Sequence, residues 1–130
     1  YQACPGPLYR IETRWLDDAG VTDAERGKQV ALFAATVSTG GTAIDAEGNI
    51  YASDTDNLRI LKFAPDGTQS TLVQDPRLVW GDAMWIDEEG GLWIPAAQMN
   101  RSKAMNGGTS KIVFPTTIFR MSIGAKPVRN

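Results

Sequence analysis

The pattern Ile-Asp-x-Glu-Gly-x-(Ile/Leu)-aromatic occurs twice in the chain, at Ile44 to Tyr51 and at Ile86 to Trp93, an offset of 42 residues. A second pattern, apolar-(aromatic or Leu)-basic-apolar, occurs three times: Leu8-Tyr9-Arg10-Ile11, Ile60-Leu61-Lys62-Phe63 and Ile118-Phe119-Arg120-Met121. Its offsets of 52 and 58 equal one 42-residue unit with insertions of 10 and 16. Self-similarity at this period constrains the fold strongly, because each unit can bury its apolar face only against its neighbours.

Within a unit, short strands alternate with turn chemistry. Ala43-Ile44-Asp45 runs into the turn Glu47-Gly48-Asn49, and Ile50 to Ser53 returns. Ile60 to Phe63 is the third strand. Pro65-Asp66-Gly67 then turns the chain, proline presetting φ and glycine taking the left-handed position, and Thr71 to Gln74 is the fourth strand. Val30 to Phe33 reads as the fourth strand of the preceding unit. The one helix-like stretch, Asp17 to Lys28, carries the capping box Thr22-Asp23-Ala24-Glu25. Gln98 to Pro115 lacks periodicity and reads as a long loop.

Four short antiparallel strands recurring every 40–45 residues predict an all-β fold of β-propeller blades. The expected organisation is one partial domain over residues 1–130, with units 1–36, 37–75 and 79–130. Propellers close with about four to eight blades, so three units imply further blades, from the same parent chain or from a second copy. A first residue of Tyr1 agrees with a processed chain or a piece of a longer one.

Composition narrows the chemistry. The chain contains no histidine, which excludes an imidazole base or a His-ligated zinc from these residues. A single cysteine, Cys4, can form neither an internal disulfide nor a thiolate cluster. With 13 Lys+Arg against 15 Asp+Glu, the net charge of −2 lacks the basic footprint of a nucleic-acid partner. The longest apolar run, Val30 to Ala35, is six residues, so no membrane span and a soluble chain are expected.

In an up-and-down blade, alternate connections share a face. Ser38 to Thr42, Asp54 to Asn57, Trp80 to Asp82 and Gln98 to Pro115 therefore fall together. Asp82, at the entry to an innermost strand, is the candidate catalytic or ligand-binding carboxylate, and Thr42 occupies the comparable loop of the previous unit. Trp80, Trp85 and Met99 are candidates to line an apolar pocket beside them. Asp45 and Asp87 precede Glu-Gly turns and are expected to accept turn N–H groups; Gly48, Gly90 and Gly91 read as turn residues. Asp54-Thr55-Asp56-Asn57 offers oxygen donors of the kind calcium prefers, although a solvated loop is the simpler reading. Asn100-Arg101-Ser102 fits the N-glycosylation acceptor pattern. Tyr51, Phe63, Trp93 and Phe119 recur at matching positions, which suits packing between units.

The run Leu72 to Asp82, with Ile86-Asp87 and Gly91-Leu92-Trp93, resembles the C-terminal half of the yellow / major royal jelly protein family. Gln98-Met99-Asn100-Arg101, Asn106-Gly107-Gly108, Pro115 and Ile118-Phe119-Arg120 are similar to that family's closing blade, and Pro7 to Ile11 also fits. The resemblance implies a secreted six-bladed propeller. It further implies a small aromatic or amine-type ligand in the central channel, or dopachrome-tautomerase-like isomerisation, with no cofactor. Asp82 would hold the ligand's charge or shuttle a proton, and Thr42, Gln98, Asn100 and Trp80 would contribute contacts. Two departures are Gly81 where the family tends to have proline and Ala97 where it often has asparagine.

Asp82 to Asp87 and Gly90 to Trp93 are also similar to the gluconolactonase family, which implies a lactone hydrolase with calcium or another divalent cation at Asp82. A non-catalytic scaffold or storage protein is the third expectation.

Overall fold

The computed structural model describes residues 6–128, so Tyr1 and Cys4 lie outside the described residues. Strands dominate, arranged in three antiparallel sheets. β1 (Pro7–Arg10) pairs with β2 (Ala31–Ala35). Between them run the short helices α1 (Arg14–Asp17) and α2 (Asp23–Gln29). α2 starts at the expected capping box, with Glu25 N–H on Thr22 and the Glu25 carboxylate accepting from the Thr22 backbone. β3 (Thr42–Ile44), β4 (Ile50–Asp54), β5 (Arg59–Phe63) and β6 (Gln69–Gln74) form a four-stranded meander. β7 (Trp85–Ile86), β8 (Gly91–Ala96) and β9 (Thr117–Ser122) form the third sheet. Among the described residues it has no fourth strand.

The side-chain period of two explains how the sheets stack. Along β4 and β5, Tyr51 and Ile60 point one way and join Leu78, Met84, Ile86, Leu92 and Ile94 in a cluster shared with the third sheet. Ala52, Leu61 and Phe63 point the other way, against Leu8, Phe33 and Ala34 of the first sheet. The central sheet is thus covered on both faces, and Tyr51 and Phe63 are fully buried. Their counterparts on the third sheet differ: Trp93, which matches Tyr51, is 36% exposed, and Met121, which matches Phe63, is partly buried, while Phe119 falls at the position of Leu61. The outer sheets also present Tyr9, Leu32 and Ile118, each more than 60% exposed.

The first hairpin of the central sheet and the first of the third sheet are each organised by one buried carboxylate. Asp45 accepts from the backbone N–H of Glu47 (3.0 Å) and Asn49 (2.9 Å), from the Asn49 amide (2.8 Å) and from the Tyr51 hydroxyl (2.9 Å). At the equivalent place Asp87 accepts from Gly91 N–H (2.6 Å), the Trp93 indole N–H (2.7 Å) and the Arg120 guanidinium (2.7 Å). Gly48 and Gly90 complete the turns at φ of 82° and 79°. Gly91, expected in the turn, is instead the first residue of β8.

Its role follows from the comparison of units. A side chain at Gly91 would lie 2.4 Å from Arg120 Cζ, so the missing Cβ lets the guanidinium cross β8 and reach Asp87. In the central sheet Asn49 supplies that donor itself. The residue matching Arg120, Lys62, lies over the Tyr51 ring without reaching Asp45, much as Arg120 lies over Trp93.

The segment after β9 was not legible as an element. It crosses to the central sheet: Ile123 N–H bonds Gly90 C=O at 2.8 Å, Ala46 N–H bonds Lys126 C=O at 2.8 Å, and Asp45 bridges Pro127. The loop after β8 holds two 3-10 turns, Met99–Arg101 and Lys103–Met105. No helix among the described residues is long and apolar enough to cross a membrane.

Two expected outcomes follow from the hairpin carboxylates. Gly91→Asn alone should lose stability against the Arg120 side chain. Adding Arg120→Lys should restore part of it, with a coupling energy of about 0.5–3 kcal/mol in a double-mutant cycle read by urea unfolding; additive losses would contradict the exchange of donors.

The second outcome concerns pH. Burial alone would raise the Asp45 pKa, but hydrogen bonds from Asn49, Tyr51 and the Glu47 backbone outweigh it and hold the group below the ordinary value. The Arg120 hydrogen bond, opposed by burial and aided by Gly91 and Trp93, holds Asp87 lower still. Burial, then the Asp45 hydrogen bond and charge, push the Tyr51 phenol up. Stability from the carboxylates is present above their unfolded pKa of about 3.9 and lost as pH falls through the lower folded values. That from Tyr51 is present below about pH 10 and lost above it. Urea midpoints from pH 2 to 11 should show both limbs; Tyr51→Phe should flatten the alkaline one and, by removing one of the hydrogen bonds that hold Asp45 low, soften the acid one as well.

Candidate functional site

The linker entering the central sheet and the linker entering the third sheet meet at backbone contact. A Cβ built on Gly40 would lie 2.2 Å from Gly81 C=O, and one on Gly41 would lie 2.7 Å from the Asp82 carbonyl carbon. Only glycine permits this approach. Ser53, buried at the end of β4, fixes it by accepting the N–H of Gly40 (2.8 Å) and Gly41 (3.1 Å) on its hydroxyl. On the other side, the 79–82 segment runs along the end of β8. Gln98 N–H bonds Val79 C=O, Ala97 N–H bonds Trp80 C=O, and Asp82 N–H bonds Pro95 C=O.

These contacts form an open cleft of about 620 Å³ that holds Asp82 and Thr42 together, with Thr39, the Gly40-Gly41 backbone and Leu8 of β1. The volume suits a small organic ligand. Asp82 is half-buried and accepts only the adjacent Ala83 N–H, at 2.9 Å; among the described residues it has no cationic partner. Every other buried carboxylate is committed. Besides Asp45 and Asp87, Asp54 is opposed by burial but held below the ordinary carboxylate range by Arg59 and Asn57, the Arg59 bond measuring 2.7 Å. Asp54 is therefore a sealed ion pair. The expected solvated or calcium-binding loop at Asp54 to Asn57 is corrected accordingly, with solvent exposure confined to Asp56 and Asn57.

The remaining expected residues lie elsewhere. Gln98, at φ 53°, spends its amide on the loop: Nε2 donates to Val113 C=O (2.8 Å), while Oε1 accepts from Val113 N–H (3.0 Å) and Arg101 (2.9 Å). It lines a second cavity. Trp80, at φ 56°, is buried, and its indole N–H has no hydrogen-bond partner among the described residues. Asn100 is exposed on the first 3-10 turn, where its carbonyl accepts from the Asn106 amide. Met99 is exposed beside it. Trp85 is 60% exposed and lines a separate hollow of about 200 Å³ with Ile44 and Val128.

Sequence reasoning missed Gly40, Gly41 and Ser53. The Gly-Gly pair was a visible signal, but Gly81, the partner of Gly40, lies 41 positions further along the chain. The fit to a divalent cation is poor: calcium takes about 6–8 oxygen ligands, whereas Asp82 is the one carboxylate lining this cleft among the described residues, and no three His, Cys, Asp or Glu there converge. No protein-family model matches the chain, and no curated protein matches it.

Ser53→Ala would leave two N–H groups, one of them buried, without their acceptor. Unsatisfied groups of this kind cost about 1–3 kcal/mol each when buried, so the urea midpoint should fall clearly while Asp82→Asn leaves it nearly unchanged. Equal effects would show that the cleft floor does not depend on Ser53.

Proposed function

We propose that the chain is a segment of a yellow / major royal jelly-like propeller whose Asp82–Thr42 cleft binds a small aromatic amine. The observation that carries this reading is an uncommitted carboxylate in a ligand-sized cleft, in a molecule whose buried acids are otherwise engaged. A protonated amine supplies the missing charge partner, and the Thr42 hydroxyl supplies a second polar contact. Leu8 supplies an apolar wall beside them.

The propeller reading is supported by the 42-residue unit, by the stacking of sheets through alternate residues of β4 and β5, and by the apolar surface of the outer sheets. Further blades of a parent chain would cover Tyr9, Leu32 and Ile118. In this reading the protein is secreted, and the exposed Asn100 within Asn-Arg-Ser is compatible with that setting.

Dopachrome-type isomerisation is the accompanying activity. A tautomerisation moves a proton from carbon to oxygen with no net change in electrons, so one acid–base group such as Asp82 can take it and return it.

Titration calorimetry of the full parent chain with tyramine, tryptamine and dopachrome tests the proposal. An amine should bind, and Asp82→Asn should weaken it by about tenfold to a hundredfold, the range for a charge-assisted hydrogen bond. No heat and no turnover from a folded protein, or unchanged affinity in Asp82→Asn, would overturn it.

A further inference from the structure

A second cavity of about 380 Å³ lies between the 75–79 linker and the loop after β8. Its walls include Val79, Val113 and Phe119, and both Arg77 and Arg101 line it. The two arginines differ in what already holds them. Arg77 is paired with Asp75 through bonds of 2.9 and 2.7 Å and lies over the Phe119 ring. Arg101 is half-buried and bonded only to the neutral Gln98 amide; it has no carboxylate partner among the described residues.

Arg101 is also fixed in place. Gln98 binds the Val113 backbone through both ends of its amide, and Arg101 C=O accepts Lys111 N–H at 2.8 Å while its own N–H bonds Gln98 C=O at 2.8 Å. The guanidinium is therefore held before any ligand arrives, which limits the ordering that binding would require. A guanidinium offers a planar fork of donors matched to a carboxylate. Apolar walls beside it favour a ligand with a hydrophobic body over a bare anion.

We infer that this cavity binds a small carboxylate carrying an apolar or aromatic group, with Arg101 as the charge partner and Gln98 as the residue that positions it. The site is separate from the Asp82 cleft: the two share no lining residue, and opposite charges select opposite ligands. The inference does not rest on the amine-binding reading.

The test uses the whole chain and 3-phenylpropionate, followed by calorimetry and by chemical-shift changes at Arg101 and Val113. The acid should bind at least tenfold more tightly than 3-phenylpropionamide and than inorganic phosphate, and rising salt should weaken it. Arg101→Met should reduce affinity at least tenfold with unchanged thermal unfolding, and Arg101→Lys should recover part of it. Equal binding of acid and amide, equal binding of phosphate, or wild-type affinity in Arg101→Met would each overturn the inference. Should Arg101→Met unfold, shifts confined to another region on titrating the unaltered protein would overturn it equally.

Discussion

A carboxylate buried at the mouth of a hairpin sets the geometry of the first hairpin turn in each of the second and third sheets. An acid there is unfavourable unless its oxygens are satisfied, since burial penalises the charged form. Asp45 and Asp87 meet that requirement by drawing in the turn amides and an aromatic residue of the next strand six positions on. The turn, the strand register and the orientation of Tyr51 and Trp93 are thus fixed by one group. The two units solve the remaining demand differently: Asn49 donates locally, whereas Gly91 clears a path for Arg120 from β9. A local bond in one sheet becomes a cross-strand bond in the other.

That arrangement supports a core with two sides. Because Tyr51 is anchored through its hydroxyl, its ring faces the third sheet while its neighbour Ala52 faces the first. Backbone linkers then cross at the ends of the strands, and glycines 40, 41 and 81 allow them to touch. The Asp82 cleft is the space left beside this contact, and its floor is backbone, so its shape depends little on rotamers.

The repeat period made the strands legible. Matching Ile-Asp-x-Glu-Gly segments placed β4, β8 and the turns, and the Thr22 capping box located α2. The turn carboxylates were also readable, because aspartate before a Glu-Gly turn has few other uses. What escaped was non-local. Gln98 resembled a ligand contact by position, yet its amide is consumed by Val113, 15 residues away. Trp80 was placed near the cleft, but its side chain turns into the interior. Arg101 stood out in the sequence as part of Asn-Arg-Ser and of the Gln98 to Arg101 run; that it lacks an acidic partner among the described residues can be seen only in three dimensions.

The segment from Ile123 to Pro127 touches the turn of the third sheet at Gly90 and the turn of the central sheet at Ala46 and Asp45. It acts as a tie rod between two hairpins that are otherwise joined by side-chain packing, the connecting chain and the close approach of the 40–41 and 81–82 backbones. Tension applied beyond Pro127 would load the Asp45 and Ala46 contacts first and the Gly90 contacts behind them. The end of the described chain is therefore a mechanical coupling between neighbouring sheets, and whatever is attached there would pull on both.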